Sequence, residues 1–259
     1  MIDIHSHILP AMDDGAKDLG ESLRMAEMAV SEGIRTIIAT PHHANGRNWN
    51  PAESVVRAVQ RFNRELQQRK IPLNVLCGQE IRVYTDLPQD WEQEQHTLLS
   101  LHHTRYILLE LPPAHIPRYT IDLLHEMTVM GLVPVIAHPE RNGEIAANPD
   151  KLLDFVERGA LTQITSHSVN GLFGKKIQGV SLELCRRRLA HFVASDAHHP
   201  LGRSFHLNQA YERISQLVGE ETAATLKDNA VKLADNREIE VKEPLSTRKR
   251  RFNFWISKK

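Results

Sequence analysis

Cysteine is scarce. Cys77 and Cys185 are the only two in 259 residues. They form no C-x-x-C spacing and are too few for a disulfide framework, which excludes a stapled secreted scaffold and points to a reducing cytosol. Aromatic residues are sparse at 5%, against 41% hydrophobic overall, so aliphatic side chains must fill the core. No apolar run approaches the ~18–20 residues of a membrane-spanning helix, and the N-terminus shows no signal-peptide h-region, so a soluble, unsecreted, cytoplasmic chain is expected. Both G-x-G-x-x-G and the P-loop are missing, which argues against a nucleotide-binding open sheet. An excess of one charge is also lacking overall, with 32 basic and 32 acidic residues. The stretch from Leu245 to Lys259 holds six of the basic residues and no acidic one, so the body is acidic by about six charges. A body of that sign excludes a general nucleic-acid binder.

What is present begins at once. Met1-Ile2-Asp3-Ile4-His5-Ser6-His7 alternates apolar and polar residues, the period of a strand. His5 and His7 then point to the same side, with Asp3 one step deeper. Two neutral imidazoles so placed can share a divalent cation.

Further strands are expected at Ile34–Thr40, Leu73–Gly78, Arg105–Leu111, Val133–Ala137, Ala160–Thr165 and His191–Ala194. Helical patterns lie between them: Lys17–Glu32 with Gly33 as its stop, Asn50 to about Lys70 with Asn50 as cap candidate, Asp86–Gln95, Tyr119–Met130, a helix from Asn148-Pro149 to Gly159, and Ser181–Leu189. Two more, at about 206–218 and 220–235, finish the body. Seven strands alternating with helices argue for a parallel sheet with helices outside it, and 259 residues suit one large α/β domain. Residues 1–240 are read as that domain and 241–259 as a tail.

A barrel gathers the C-terminal ends of its strands at one rim. His5, His7, His42, Glu80, Glu110, His138, Asp196 and His198 all fall at such ends. With Asp14 from the Asp13-Asp14-Gly15 loop, the set is five histidines and four carboxylates. Four buried carboxylates would repel and take up protons unless cations compensate them. Two or three divalent ions do so, and three, with a bridging hydroxide, leave a residual charge of about +1 suited to a phosphate. Nitrogen and oxygen donors without thiolate favour Mn, Fe or Zn in an open site. Arg141 and Arg203 lie in the right loops to pair phosphoryl oxygens with their planar forks. Neither cysteine has arginine six positions on, so the C-x5-R loop of thiol phosphatases is absent and any phosphatase here must use metal. His43 is expected to orient its neighbour or face solvent, and His167 to be a loop histidine.

Taken in order, DIHSH, PHH, GQE, Glu110, AHPER and ASDAH resemble the PHP (polymerase and histidinol phosphatase) superfamily. IDIHSHILPAMDDGA, IIATPHH, PVIAHPERN and HFVASDAH are closest to the bacterial tyrosine-protein phosphatases of capsule and exopolysaccharide operons, over about residues 1–235. The resemblance implies a distorted seven-stranded (β/α)7 TIM-like barrel with its metal cluster at the C-terminal rim of the strands. It implies up to three metals, often manganese, and hydrolysis of phosphotyrosine on the tail of a membrane-associated bacterial tyrosine kinase. It also implies attack by metal-bound hydroxide with no phospho-enzyme, a proton for the leaving phenolate coming from His42 or a bound water. By position, His5, His7, Glu80 and Asp196 resemble one metal site, Glu80, Glu110 and His138 a second, and Asp14, His42 and His198 a third; Arg141 and Arg203 resemble the phosphate-binding arginines. A phosphatase for a small monoester such as histidinol phosphate is the alternative. The tail, with Arg248-Lys249-Arg250-Arg251 ahead of Phe252, Phe254 and Trp255, is read either as a solvated segment or as a clamp for an anionic membrane surface.

Overall fold

The structure, a computed structural model, describes residues 1–93 and 97–245. The described chain is α/β with every strand pairing parallel. Nine strands are described: β1 Ile2–Ser6, β2 Thr36–Ala39, β3 His42–His43, β4 Asn74–Cys77, β5 Glu80–Arg82, β6 Tyr106–Glu110, β7 Val133–Ala137, β8 Leu161–Thr165 and β9 Phe192–Ala194. They form one sheet in the order β1-β2-β4 and a second in the order β3-β5-β6-β7-β8-β9.

Each of the seven expected strands is found. The two additions are short continuations, β3 after β2 and β5 after β4, and these leave the first sheet for the second. Pro41, which has no N–H for a ladder, separates β2 from β3. Gly78 separates β4 from β5. A Cβ there would lie 2.9 Å from Ile38 Cγ2 and 3.0 Å from Leu101 Cδ2, so the bend packs too closely for a side chain. Two or three residues carry no readable period, which is why the sequence shows one strand where the structure has a strand, a bend and another strand.

Both strand faces are buried. Ile4, Ile38, Leu108, Val135, Leu161 and Phe192 meet in one inner cluster drawn from both sheets. Their neighbours Ile37, Ile107, Leu109, Ile136, Ile164 and Val193 belong to a larger cluster with the helices. This is the largely apolar reading of parallel strands, and it leaves polar residues mainly at the strand ends, with Asp3 and His5 inside β1 and Thr162 and Gln163 inside β8. The end of β1 also reaches past β9: Ser6 bridges Ala197 in parallel, His7 N–H donates to Ala197 O at 2.8 Å, and Asp196 N–H to His5 O at 2.9 Å.

The helices follow the expected order, with corrected ends. The first is Leu19–Ser31, where the Asp18 side chain accepts from Glu21 N–H at 2.8 Å and Gly33 follows with φ +84°. The second is Ala52–Gln68, and Pro51 rather than Asn50 is its cap. The Asn50 amide instead donates to Met12 O and His42 O, tying two site loops together. The helix expected at Ser181–Leu189 runs over Lys175–Arg186, since the charged Lys175 and Lys176 hide its start from an apolar-pattern reading. The expected Asp86–Gln95 helix is found as Leu87–Gln93; residues 94 and 95 lie outside the described residues. Residues 241–245, assigned to the tail, run back against Arg187, which exchanges hydrogen bonds with Leu245. The basic-aromatic stretch 246–259 lies outside the described residues. No helix among the described residues is long and apolar enough to cross a membrane.

Candidate metal centre

The nine expected donors converge at the strand ends. His5 and His7 project from the end of β1 with their Nε2 atoms 3.2 Å apart. Glu80 opens β5 and lies at the middle of the group: Oε2 is 3.4 Å from His5 Nε2, 3.3 Å from His7 Nε2 and 2.9 Å from His42 Nδ1, and Oε1 is 2.7 Å from His138 Nε2. Asp196 Oδ1 is 3.4 and 3.3 Å from the same two Nε2 atoms. Asp14 Oδ1 sits 3.4 Å from His42 Nε2 and 3.5 Å from His198 Nε2. Donors close enough to share an ion fall into four overlapping groups: His5, His7 and Asp196; His5, Glu80 and His138; His42, Glu80 and Glu110; and His7, Asp14, His42 and His198. By these distances His138 lies with His5 and Glu80, and Glu110 lies with His42 and Glu80.

Local structure aims these groups. His138 directly follows β7, Asp196 is the second residue after β9, and both carry left-handed backbone, φ +32° and +53°. That conformation is unfavourable for residues with a Cβ and is typical of functional positions held by their surroundings. The loop after β1 folds back because Ala16 N–H donates to His7 O, and a Cβ on Gly15 would lie 2.1 Å from that same oxygen. This brings Asp13 to His7: its Oδ2 is 2.6 Å from His7 Nδ1 and also accepts from His42 N–H at 2.9 Å. Gln163 Oε1 lies 2.8 Å from His5 Nδ1, and Asp196 O lies 2.9 Å from His198 Nδ1. In three histidines the Nδ1 proton thus has an acceptor, which leaves the Nε2 lone pair facing the centre.

The electrostatics match. Burial pushes Glu110 up, and the adjacent Glu80 adds to it, taking Glu110 to about 7. Burial, with Arg141 nearby, pushes His138 down to about 4, so its lone pair is free at neutral pH. Glu80 and Asp196 are buried too, yet the surrounding imidazoles, led by His5, hold both carboxyls well below the usual range. Glu80 Oε2, Asp196 Oδ1, His42 Nδ1 and His198 Nε2 are nevertheless buried without an aligned hydrogen bond. Lone pairs that crowd one another at about 3 Å without hydrogen-bonding are aimed at points between them, and divalent cations fit those points.

Arg141 and Arg203 both grip Asp196 Oδ2, Arg141 at 2.5 Å. The neighbouring Glu140 is buried, and its Oε1 accepts from Thr165 N–H at 2.9 Å, which ties the loop after β7 to the end of β8. Arg82, by contrast, pairs with Glu110 at 2.8 Å.

Some residues were missed or misread. Asp13 reads only as loop, and Gln163 sits in the middle of β8 rather than at a strand end. A carboxylate two before the glycine that folds the loop back onto His7 was the available sign for Asp13; Gln163 offers none. Asp3 joins no donor group; it binds Ser195 N–H at 2.9 Å and locks β1 to the end of β9. His43 does not face solvent: it is buried, its Nδ1 is 2.9 Å from Asn50 O, and its ring lies under Trp49. His167 is no loop residue. It is buried in a short helix, Ser166–Asn170, with its ring against Phe173 and His206.

A family model described as capsular polysaccharide synthesis, CpsB/CapC, matches residues 1–235. The chain belongs to the CpsB/CapC family. Tyrosine-protein phosphatase YwqE of Bacillus subtilis is 48% identical over 256 residues, covering 98% of this chain and all of that protein. Tyrosine-protein phosphatase CpsB of Streptococcus agalactiae serotype III is 30% identical over 245 residues, covering 92% of this chain and all of that one. Among solved structures, one from work on YwqE of B. subtilis and CpsB of Streptococcus pneumoniae, described as unique metal-dependent tyrosine phosphatases, superposes with TM-score 0.92 at 48% identity, over 96% of this chain and all of the other.

Proposed function

We propose that this chain is a metal-dependent protein-tyrosine phosphatase that acts on a bacterial tyrosine kinase and its substrates and so regulates capsule or exopolysaccharide synthesis. The observation that carries this reading is the junction at Asp196, where one carboxylate faces His5 and His7 with one oxygen and two arginines with the other. A cation cluster and a phosphate clamp therefore share one wall. The relatives, named as tyrosine-protein phosphatases, support the substrate class.

The fold reading is a distorted (β/α)7 barrel closed between β1 and β9, supported by the Ser6–Ala197 bridge and the common inner cluster. Residues 1–240 form its catalytic domain. His5, His7, Asp14, His42, Glu80, Glu110, His138, Asp196 and His198 would hold two or three divalent ions, manganese first and iron or zinc as other candidates. Such ions supply Lewis-acid charge and activate water at neutral pH. Asp13 and Gln163 keep the His7 and His5 tautomers fixed. Arg141 and Arg203 orient the phosphoryl group for in-line attack by water; the bond from phosphorus to the phenolate breaks, with no phospho-enzyme. The phenolate, with a pKa near ~10, needs only modest proton help. A His42 nitrogen that binds no cation is placed to give it, because His42 and Asp14 stand at the solvent side of the group.

A histidinol-phosphate phosphatase is the weaker reading, since relatives over the full length are named for tyrosine. The substrate is read as the tail of a membrane-associated tyrosine kinase, with the enzyme cytoplasmic and the 246–259 stretch resting on an anionic membrane. Deleting 246–259 should then abolish co-sedimentation with anionic liposomes; unchanged binding removes that part. The function itself is tested by phosphate release from a phosphotyrosyl peptide against histidinol phosphate, with Mn²⁺ and then with EDTA. Peptide hydrolysis that needs Mn²⁺ is expected. Preference for histidinol phosphate, or indifference to EDTA, contradicts it.

A further inference from the structure

A cavity of about 420 Å³ opens beside the donor cluster, within the range of small-ligand pockets. One end carries Arg141, His138 and Glu110. Apart from Asn142, the remaining walls are apolar: Leu111, Pro113, Ala137, Phe173 and Ile177. Three connections build it, those after β6, β7 and β8. Phe173 is half-buried in a turn between Gly171 and Gly174, whose φ values are +81° and +92°. The Arg141 guanidinium lies 5.3 Å over its ring, and His167 stacks against it at 5.5 Å. The phosphate-binding arginine and the apolar wall are thus one packed unit.

We infer that this cavity seats the aromatic ring of the substrate's phosphotyrosine, with Phe173 and Ile177 as the walls that select an aryl over an alkyl monoester. The inference rests on the tyrosine-phosphatase reading and goes beyond it by placing the ring. A phosphate held by Arg141 and the cluster has its leaving group beside these walls. Inorganic phosphate would leave them wet, and a short alkyl chain would cover little of them. A tyrosyl ring covers them, and its burial against aliphatic and aromatic carbon is favourable. A second cavity, of about 450 Å³ between Trp49 and Tyr84, is lined by neither Arg141 nor Arg203. A ring placed there would stand clear of the Arg141–Arg203 pair, with Arg47 as the one cation in the lining.

The test uses the Mn²⁺-loaded full chain with two variants on different elements, Phe173→Ala and Ile177→Trp. Ile177 lies in the first turn of the Lys175–Arg186 helix and belongs to no donor group, so a tryptophan there fills the cavity while the clamp stays. Three quantities are measured: KM for a phosphotyrosyl peptide, affinity for a non-hydrolysable phosphonate analogue of that peptide by calorimetry, and inhibition by inorganic phosphate. Expected for Ile177→Trp are losses of roughly tenfold in KM and analogue affinity, with phosphate inhibition within about twofold. Phe173→Ala should show the same peptide losses. Peptide KM and analogue affinity unchanged in both variants would overturn the inference. So would parallel losses of peptide and inorganic phosphate in both, because the walls would then only support the arginine. A wild-type chain that binds inorganic phosphate but ignores the phosphotyrosyl peptide would overturn the parent reading along with it.

Discussion

Asp13 Oδ2 lies 2.6 Å from His7 Nδ1 and 2.9 Å from the backbone N–H of His42. One carboxylate therefore sets the tautomer of a donor on β1 and the position of a donor on β3, across the step between the two sheets. Burial opposes its charge, but His7 beside it and the His42 N–H hold the carboxyl down at about 2. Asp13→Asn keeps the shape and removes the negative charge. Mn²⁺ affinity should fall about 10–100-fold, read by metal titration of activity, while the unfolding midpoint in EDTA stays close to wild type. Unchanged affinity would contradict the assignment.

Gly15 makes that contact possible, since any side chain there meets the His7 carbonyl at 2.1 Å. Gly15→Ala should destabilise the fold by about 1–3 kcal/mol and weaken metal binding together with it. A urea denaturation series with and without Mn²⁺ measures both. Loss of stability alone would detach the loop from the site.

Arg141 and Arg203 share Asp196 Oδ2. Arg141→Ala should lower kcat/KM by about 100-fold or more, and Arg141→Lys should recover little, because a point charge does not reproduce the fork. His138→Ala should lose turnover on a similar scale, with the circular-dichroism spectrum unchanged in all three. Near-normal turnover in the alanine variants would contradict the clamp.

Much of the site was legible because parallel strands are apolar until they end, so His5, His7, Glu110, His138 and Asp196 stand out where the pattern stops. Glu80 and His42 were legible for the same reason, although each opens a short strand of its own, too brief to show a period. The rest was hidden by geometry. Asp14, which reaches His42 and His198, was legible in its loop, but its neighbour Asp13, which fixes the His7 tautomer, had only its place two before Gly15 as a sign. Gln163 sits inside β8 beside Thr162, away from the strand end where the other site residues show. Asn50 has the chemistry of a helix cap, yet two carbonyls from site loops claim its amide. The step from β2–β4 into β3–β5 depends on close packing at Gly78, which a linear pattern cannot show.

His191 gives a pH dependence outside the donor groups. Its Nδ1 accepts from Thr162 N–H at 3.1 Å, and burial pushes the imidazole down to about 4. In the unfolded chain it titrates near ~6.5. As pH falls from ~6.5 toward ~4 the unfolded state gains a proton that the folded state refuses, so this residue's contribution drops by a few kcal/mol and is level below that range. His191→Asn keeps an acceptor for Thr162 and removes the titration. The wild-type unfolding free energy should decline relative to the variant as pH goes from 7 to 4.5. A gap that does not change with pH would contradict it.

Chelation should act on stability as well as turnover, because ions bound only by the folded chain stabilise it by mass action. At saturating Mn²⁺ the melting temperature should stand ~5–10 °C above that in EDTA, and this gap should shrink in His138→Ala. Equal melting temperatures with and without metal would leave the donor cluster without a cation.

The most direct measurement is anomalous scattering at the manganese edge from crystals grown with Mn²⁺. Two or three peaks are predicted among His5, His7, Asp14, His42, Glu80, Glu110, His138, Asp196 and His198, each within about 2.0–2.6 Å of its donors. No peak there, or manganese held only by other residues, would contradict the account.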